Sequence, residues 1–499
     1  MSWYLAAPLA LPFLTAVVAF LLRNSGAGRW VSLLGNVALL ILAALLMGQV
    51  LDQGVIAGQM GGWQGPFGIT LVADYLGGVM VVITAITALA VSIYALGDID
   101  ERKEHLGYHA LFNVLIGGVT GAFLTGDLFN LYVWFEVMLI SSFGLLVLGG
   151  SKEQIDGGVK YVTLNLVSTI LFLAGIGLVY GMTGTLNMAD LARTMPEVEN
   201  QGLVTVVAVM FMIAFGVKAA VFPLFFWLPA SYHTPAFSVS AVFAGLLTKV
   251  GVYALIRMFT LVFDGDVAFT HTILLWVAGF TMVTGVLGAA AQNDIRKILS
   301  FHIVSQIGYM ILGLALLTPL AVAGAVFYLV HHIIVKANLF LIGGVVERAA
   351  GSTDLKKIGG LYKSAPLLAV LFLIPAFSLA GFPPLSGFWA KYILVAASLE
   401  IEAWVIAGVA LLVGLLTIYS MTKIWAEAFW KAHPEGLQPE LSRIEPRVRR
   451  AMLLPIAGLA ALTLVIGFFP EPFVVFAETA ALQLLDPTAY IMTVLGEGA

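Results

Sequence analysis

The 499-residue chain contains no cysteine and few charged residues. Without cysteine it cannot form disulfides, thiolate nucleophiles, cysteine-ligated zinc sites or iron–sulfur clusters. Charged residues make up 10% of the chain and hydrophobic residues 61%, whereas a soluble domain carries roughly 25% charged residues. The composition therefore excludes a water-soluble globular protein, and a net charge of −4 provides no basic surface for nucleic acid.

The chain instead contains a series of apolar segments of about 20 residues, the length of a helix that crosses a hydrocarbon core of roughly 30 Å. We predict an all-α polytopic membrane protein with fourteen transmembrane helices, their ends uncertain by several residues. The predicted helices lie near 3–22, 30–51, 74–97, 108–124, 127–149, 159–181, 203–230, 236–263, 271–291, 298–317, 320–345, 366–399, 403–426 and 451–470.

The basic residues are unevenly divided between the predicted loops. Seventeen of the 24 Lys and Arg residues fall in one set of alternate loops, and Arg193 is alone in the other set. The seventeen are Arg23, Arg29, Arg102, Lys103, Lys152, Lys160, Arg296, Lys297, Arg348, Lys356, Lys357, Lys363, Lys431, Arg443, Arg447, Arg449 and Arg450. Because positive charge accumulates in cytoplasmic loops, we expect this set inside and both chain termini outside. Arg257 and Lys423 fall toward helix ends, from which a long side chain can snorkel to the interface.

Two short segments recur along the chain. Gly126-Asp-Leu-Phe-Asn resembles Asn293-Asp-Ile-Arg-Lys at an offset of 167 residues, and Phe222-Pro223-Leu224 loosely resembles Phe382-Pro383-Pro384-Leu385. These matches predict two copies of a five-helix unit, the second inverted because five is an odd number of crossings; chance similarity is the alternative. The predicted organisation is 1–107 for helices one to three, 108–263 for the first repeat, 271–426 for the second, and 427–499 for a cytoplasmic loop, helix fourteen and an outside-facing tail.

Five charged residues lie deep within predicted spans, where a charge at the bilayer centre costs roughly 2.5 to 3.5 kcal/mol. They are Glu136, Lys218, Lys249, Lys336 and Lys391. One glutamate cannot neutralise four lysines, so most of these lysines must be hydrated or uncharged. Any one of them could be a salt-bridge partner, but the set is suited to taking up and releasing protons.

Histidines also fall within the spans, at His302, His331 and His332. His332 stands four residues before Lys336 and four after Tyr328, so the three share one helical face. Because histidine titrates near physiological pH, this face is suited to relaying protons. For His331 a plain interhelical hydrogen bond is an equally good interpretation. A metal site is not expected, since no carboxylate lies nearby on these helices and an ammonium repels a cation.

Prolines are expected to interrupt the seventh and twelfth predicted helices. They are Pro223 and Pro229 in the seventh, and Pro375, Pro383 and Pro384 in the twelfth. Each proline frees the carbonyl four residues earlier, which in a membrane needs water or a polar side chain. The breaks therefore predict hydrated gates, with hydroxyl and amide groups nearby to hold water; the candidates are Ser168, Thr169, Ser238, Ser240, Thr248, Ser305 and Gln306.

These residues together resemble the antiporter-like subunits that respiratory complex I, membrane-bound hydrogenases and the multisubunit Mrp-type cation/proton antiporters share. The motifs are Trp134-Phe-Glu136; Lys218 with Phe222-Pro223 and Leu228-Pro229; Thr248-Lys249; His332-Ile-Ile-Val-Lys336 with Leu339-Phe340; and Ser378-Leu-Ala-Gly-Phe-Pro-Pro-Leu-Ser-Gly-Phe-Trp-Ala-Lys391. Within the family the likeness is greatest to D-type Mrp subunits, partly through Phe67-Gly-Ile-Thr-Leu-Val-Ala-Asp74. Lysine at position 391 departs from members that carry glutamate there.

The resemblance implies a proton path along the membrane midplane. It makes Glu136 and Lys218 a charge pair at one half-channel, Lys249 the central relay and Lys391 the terminal carrier. His332 continues the line toward Lys391, with Lys336 and His302 beside it. The resemblance also implies a prokaryotic plasma membrane, partner subunits of Mrp A, B, C, E, F and G type, protons and Na⁺ as the ions moved, and no cofactor.

Two functions remain open at this stage. The first is a subunit of a secondary cation/proton antiporter, which is a transporter and not an enzyme. The second is a proton-pumping subunit of a redox enzyme, either complex I or a membrane-bound hydrogenase. A plain scaffold is a third possibility, and it predicts that neutralising the buried charges is harmless. Sodium needs several oxygen ligands, so the lysines suit protons better and another subunit is a candidate for the sodium path.

Overall fold

The computed structural model describes residues 3–436, 441 and 444–496. Arg443, which belongs to the predicted inside set, lies outside the described residues, as do 1–2 and 497–499 at the termini. The first elements are α1 Trp3–Leu21, α2 Gly28–Gln53, β1 Ile56–Gln59, β2 Thr70–Ala73, α3 Tyr75–Asp98, α4 Glu101–His105, α5 Tyr108–Leu124, α6 Leu128–Val147, α7 Lys152–Thr183, α8 Met188–Thr194, α9 Gln201–Ala219, α10 Trp227–Ser231, α11 Phe237–Val242 and α12 Thr248–Leu261. The others are α13 Val267–Ala291, α14 Ile295–Leu316, α15 Pro319–Ala350, α16 Leu361–Ser364, α17 Pro366–Ala380, α18 Ser386–Glu400, α19 Trp404–Ile424, α20 Pro446–Phe468, α21 Glu471–Leu485 and α22 Thr488–Leu495.

Long apolar helices dominate the structure. Within the described residues, twelve helical segments are long and apolar enough to cross a membrane, and two shorter apolar helices, α5 and α17, coincide with the other two predicted spans. The prediction of an all-α polytopic membrane protein is therefore confirmed. A π-helical segment, Phe243–Leu247, joins α11 to α12 into one continuous span.

Side-chain caps set the beginning of several spans. Asp74 accepts a hydrogen bond from the backbone N–H of Gly77 at the start of α3, and Asp127 caps α6 and Asp294 caps α14 in the same way. An N-cap satisfies a backbone donor that has no partner within its own helix. These polar residues therefore mark helix ends that hydropathy alone leaves uncertain.

One local connection occurs twice in the structure. Asp127 forms a short antiparallel bridge with Asn187, and Asp294 forms one with Asp354. The two bridges span equal lengths of chain and lie 167 residues apart, which is the offset of the segments that suggested a repeat. An odd number of crossings separates α6 from α14, so the two bridges lie at opposite ends of the helix bundle.

Both predicted helix breaks occur, but two of the five prolines expected to cause them lie within helices. The first separates α9 from α10 and the second separates α17 from α18; each follows a residue in the left-handed region, Ala220 (φ 62°) or Gly381 (φ 90°), a usual way to end a helix. Pro375 lies inside α17 and does not interrupt it. Pro229 lies in the first turn of α10, where a missing N–H costs little, so the first break is located at Pro223 and not at Pro229.

The C-terminal tail contains two helices, α21 and α22, beyond the last predicted span. Helix α21 packs against α15, and the Gln483 side chain joins two other elements: it accepts from the N–H of Tyr75 at 2.9 Å and donates to the carbonyl of Gly54 at 3.1 Å. The β1–β2 hairpin lies beside α22, with Gln59 donating to the carbonyl of Val494 at 3.4 Å. Tail and hairpin therefore cover the end of the bundle where α3 begins.

The most enclosed spans form the centre of the bundle. Phe237–Leu261, Ile295–Leu316 and Pro319–Ala350 are each 94% buried over their most apolar window, whereas several peripheral spans are 39% buried. These central helices carry Lys249, His302 and Lys336. These three predicted residues thus lie in the interior of the molecule.

Candidate functional site

Lys218 is the last but one residue of α9, directly before the first break. Its ammonium donates to the hydroxyl of Thr169 at 3.2 Å and toward the carbonyl of Asn165 at 3.5 Å, both on α7. The ring of Phe135 lies 5.5 Å from the same nitrogen, a distance at which a cation is attracted to an aromatic face. Lys218 is thus buried among neutral partners.

Glu136 does not form the expected direct ion pair. Within the described part of the chain, its carboxylate makes no ion-pair contact with Lys218, and its Oε1 atom is buried without a hydrogen-bond partner. The two charges nevertheless lie close enough to act on each other. The pair is therefore coupled through space, with the Phe135 ring as the group on α6 that faces the lysine.

Lys249 is completely buried at the start of α12. Its ammonium donates to the carbonyl of Ala244, which belongs to the π-helical segment of the same span. A π-helical segment is rare and occurs often at functional sites. Here it provides the main-chain acceptor toward which the central lysine turns, while the neighbouring Thr248 hydroxyl has no partner.

The next groups belong to α14 and α15. Lys336 donates to the carbonyl of Leu299 at 2.8 Å. His332 and His302 are completely buried, and both ring nitrogens of each lack a hydrogen-bond partner. Lys249, Lys336 and His302 all lie within electrostatic range of the His332 ring, so these four predicted residues are close enough to interact.

His331 connects the line to the second break. Its Nδ1 atom lies 2.8 Å from the hydroxyl of Ser386, which lies 2.9 Å from the hydroxyl of Ser378 across the break. A Cβ atom on Gly387 would lie 1.8 Å from the Ser378 carbonyl oxygen and 2.9 Å from Cε1 of His331. Only glycine permits this approach of α18 to α17 and α15, so Gly387 is required to hold the connection.

Lys391 ends the line beyond the second break, where Pro383 and Pro384 lie between α17 and α18. Its ammonium donates at 3.0 Å to the carbonyl of Ala380, the last residue of α17, and lies 5.0 Å from the centre of the Tyr309 ring. The Tyr309 ring stacks on that of Tyr328 at 5.2 Å. A stack of two buried tyrosines thus joins the terminal lysine to the helix that carries His332.

Hydrogen bonds hold this stack in place. The Tyr328 hydroxyl donates to the side-chain oxygen of Gln306 at 2.5 Å, and the Tyr309 hydroxyl donates to the carbonyl of Ala410 at 2.5 Å. Ser305 lies close to α13, because its main-chain nitrogen is only 2.3 Å from where a Cβ atom on Gly285 would stand, and its hydroxyl accepts from the Gln306 side chain at 3.4 Å. Tyr328 and Ser305 thus both contact the Gln306 side chain.

Sequence reasoning overlooked several polar residues in the site. Tyr309, Tyr161, Tyr232 and Asn338 are buried, and the Tyr232 hydroxyl and both polar atoms of the Asn338 side chain have no partner. Tyr161 and Tyr232 line a small cavity with Lys218 and Leu247. The signal available in the sequence was a tyrosine or amide within an apolar span, which is a weak signal because tyrosine is also common in apolar cores.

The prediction that Arg257 snorkels to an interface is wrong. It is 5% exposed and forms a bidentate ion pair with Asp74, with N–O distances of 2.6 and 2.8 Å. Lys423 does lie near a helix end, and its ammonium donates to the carbonyls of Ala290 and Gln292 at the end of α13. Burial of Asp74 at the N-terminus of α3 explains the difference, since it provides Arg257 with an internal partner.

The arrangement consists of groups that can transfer protons. Groups of three or more possible ligands among His, Asp and Glu do not occur in the described part of the chain. The site instead alternates lysines and histidines with hydroxyl, amide and carbonyl groups, all of which can donate or accept a proton or hold water.

Comparison with known proteins identifies the family. Residues 125–417 match the family described as NADH:quinone oxidoreductase/Mrp antiporter, TM. The chain is 47% identical to the D-type Na(+)/H(+) antiporter subunit of Alkalihalophilus pseudofirmus, over 98% of this chain and 99% of that one. It is 39% identical to the corresponding D-type subunit of Bacillus subtilis over the whole length of both.

Solved structures agree with these sequence matches. A chain of the Mrp complex from Dietzia superimposes with a TM-score of 0.91 at 35% identity, covering 99% of this chain and 100% of that one. A chain of respiratory complex I from Thermus thermophilus gives 0.80 at 25% identity, covering 96% and 99%. The resemblance predicted from the motifs is confirmed: the chain belongs to the NADH:quinone oxidoreductase/Mrp antiporter transmembrane family and, within it, groups with the D-type subunits of Na⁺/H⁺ antiporters.

Proposed function

We propose that this chain is the proton-carrying D-type subunit of a multisubunit Na⁺/H⁺ antiporter in the bacterial plasma membrane. It acts as a transporter subunit and not as an enzyme, and its partners are the other membrane subunits of the complex, of Mrp A, B, C, E, F and G type. The distribution of basic loops supports an orientation with both termini outside. Similarity to D-type subunits over the full length of the chain supports the assignment.

The path that we propose begins at Glu136 and Lys218 and ends at Lys391. Lys249, Lys336, His332 and His302 carry the proton between them, with His331, Tyr328, Thr248 and Ser305 as supporting groups. The breaks at Pro223 and at Pro383–Pro384 act as hydrated gates. The repeated bridge, at the same offset as the repeated sequence, supports two inverted five-helix units, over 108–263 and 271–426, that each contribute one gate.

One observation carries this proposal: buried polar atoms without partners concentrate on the line. Eight of the fourteen such side-chain atoms in the described chain belong to Glu136, Tyr232, Thr248, His302, His331 and His332. A buried polar group without a partner costs about 1 to 3 kcal/mol, so a fold that needed only stability would avoid them. A proton path requires such groups, because each must exchange partners as the proton passes.

The proposed path passes from Lys218 to Lys249 on an adjacent helix. The Lys218 ammonium faces α7 and that of Lys249 faces Ala244, although the backbones are adjacent: a Cβ atom on Gly251 would lie 2.9 Å from the main chain of Lys218. Tyr232 lines a small cavity with Lys218 and Leu247, which precedes Thr248 and Lys249 in the chain. We infer that the two lysines couple by charge, because Coulomb interactions extend beyond hydrogen-bond distance in the low dielectric of a protein interior.

The test uses inverted membrane vesicles that contain the complete complex, energised with a proton gradient. Adding Na⁺ should collapse the gradient, and K⁺ and Li⁺ define the selectivity. Lys218→Ala and Glu136→Gln should each abolish the Na⁺ response, because the first removes a carrier and the second removes the charge that acts on it. The amount of assembled complex, measured on native gels, should stay normal because Glu136 makes no direct ion pair. Near-normal antiport in the Glu136→Gln variant would contradict the path.

The same vesicles distinguish the second candidate function. Similarity to chains of complex I and of an archaeal sulfane sulfur reductase complex, the latter with a TM-score of 0.92 at 27% identity, favours a redox-driven pump as the alternative. That function predicts no response to Na⁺, K⁺ or Li⁺. It also predicts that the vesicles form a gradient only with an electron donor and that both variants fail to form it.

A further inference from the structure

A buried ion pair lies outside the proposed path, at the end of α12 that the charge distribution places outside. Arg257 holds Asp74 through two N–O contacts of 2.6 and 2.8 Å, and the side chains are 6% and 2% exposed. Asp74 also accepts from the N–H of Gly77 at 2.8 Å. Two tyrosine rings enclose the guanidinium, with centres 5.5 Å away for Tyr253 and 5.3 Å for Tyr490.

Stability alone is a poor explanation for this pair. The removal of two charges from water costs several kcal/mol per ion, and replacing a buried ion pair with apolar residues is often neutral or stabilising. A bidentate arginine inside an apolar bundle therefore indicates a role beyond holding two helices together. Intramembrane ionisable residues usually serve transport.

The pair is aligned with the central lysine. Lys249, Tyr253 and Arg257 follow one another at intervals of four residues on α12, so they lie along one side of the helix. The Tyr253 hydroxyl donates to the carbonyl of Phe123 at 3.0 Å and lies 3.4 Å from the Arg257 guanidinium. Lys249 turns the other way, toward Ala244. If Lys249 releases that carbonyl and swings outward, Tyr253 is the next polar group on its helix.

Arginine at this position cannot pass the proton on. A guanidinium stays protonated in proteins, so it neither accepts a proton nor offers an acceptor atom. A group that releases its proton readily, such as histidine, would extend the relay at position 257, whereas arginine ends it.

We propose that Arg257, held by Asp74, is a proton plug that closes the outer end of α12 behind Lys249. It forces protons at Lys249 to leave along the line toward Lys391 and prevents them from returning directly to the outside. Tyr490, from the tail helix α22, covers the plug. This proposal rests on the proposed function, because it requires Lys249 to carry protons.

The test measures passive proton leak in vesicles that contain the complete complex, with an imposed pH gradient and no Na⁺. The double variant Asp74→Asn with Arg257→Gln removes both charges together, so neither is left buried and unpaired, and asparagine remains a good N-cap. We expect its gradient to decay about tenfold faster than that of the wild type, equivalent to a barrier lower by about 1.4 kcal/mol. Arg257→Lys keeps a positive charge beside Asp74 but supplies an ammonium that can release its proton, so its gradient should also decay faster than that of the wild type.

A second variant tests the route. Adding Lys249→Leu to the double variant should restore slow decay, because the leak is proposed to pass through Lys249. Slow decay in the double variant with normal amounts of complex, or leak that persists without Lys249, would overturn the plug. Lys249→Leu alone tests the underlying function separately: antiport that survives this single change refutes the relay, whatever the leak measurements show.

Discussion

The two helix breaks differ in how the lysine relates to the interrupted main chain. At the first break, Lys218 precedes the interruption and points away from it to α7, while the indole of Trp227 donates to the carbonyl of Val217 at 3.0 Å. At the second break, Lys391 follows the interruption and donates to the carbonyl of Ala380 at 3.0 Å. A neutral side chain, that of Trp227, stabilises the first break, whereas an ionisable side chain, that of Lys391, stabilises the second.

The two breaks should therefore respond differently when their lysines lose a proton. Deprotonation of Lys218 leaves the Trp227 bond intact, so the first break can stay closed whatever the charge on the lysine. Deprotonation of Lys391 weakens a charge-assisted hydrogen bond, which is roughly twice as strong as a neutral one, at a helix end. The geometry of the second break thus depends on the protonation state of Lys391, as the proposed path requires at the point where a proton leaves it.

The largest effect that separates the two breaks is expected from removing each lysine. Lys218→Leu and Lys391→Leu should both reduce Na⁺-driven gradient collapse by about 100-fold or more, as the loss of a proton-transfer group does. Only Lys391→Leu should also lower the stability of the protein, by about 1 to 3 kcal/mol, because it leaves the carbonyl of Ala380 without a partner. Vesicle assays and thermal unfolding of the purified complex measure the two effects.

Arginine replacements provide the control for that pair. Lys391→Arg keeps a donor for the carbonyl of Ala380, so stability should return while transport stays lost, since arginine does not release its proton. Equal loss of stability in the Lys218→Leu and Lys391→Leu variants would contradict the idea that only Lys391 stabilises the main chain at its break.

An intermediate effect is expected from the indole that closes the first break. Trp227→Phe keeps the ring and removes the bond to Val217, which should cost about 1 kcal/mol and slow antiport about fivefold. Trp389→Phe is the matched variant, because its indole donates at 2.9 Å to the carbonyl of Gly467 on α20 and not to a carbonyl at the break. Its antiport rate should stay within about twofold of wild type; an effect as large as that of Trp227→Phe would show that the indole is not specific to the first gate.

The smallest effect is expected from one neutral partner of Lys218. Thr169→Val removes a hydroxyl that accepts from the ammonium at 3.2 Å but leaves the shape of the side chain nearly unchanged. One lost neutral partner of this kind, worth about 0.5 kcal/mol, should slow antiport only about twofold. Thr169→Ser, which retains the hydroxyl, should behave like the wild type, and initial rates of gradient collapse at several Na⁺ concentrations measure both.

Hydropathy predicted the membrane-spanning helices well because burial in lipid depends on long apolar runs. It did not identify the tail helix α21, which is apolar but only 15 residues long and therefore too short to be counted as a span. The expectation that Pro375 breaks a helix was wrong, since this proline lies within α17. A proline in the sequence does not reveal whether neighbouring helices compensate for the lost hydrogen bond.

The ionisable residues of the site could be identified from the sequence, but their partners could not. A lysine in an apolar span is conspicuous because of its cost, whereas the group that receives its hydrogen bond is usually a main-chain carbonyl. For Lys336 that carbonyl belongs to Leu299 on another helix, and for Arg257 the partner is 183 residues away in Asp74. Such contacts depend on how helices pack, which no local pattern specifies.

The π-helical segment before Lys249 has a consequence for the direction of that lysine. Each residue of an α-helix turns the chain by about 100°, so one residue more or less within Phe243–Leu247 would rotate everything after it by that angle. Lys249, Tyr253 and Arg257 would turn together, away from their present neighbours. The direction in which the Lys249 side chain points thus depends on the number of residues before it as much as on its own identity. Deleting one residue from Phe243–Leu247 should therefore impair transport as strongly as replacing Lys249.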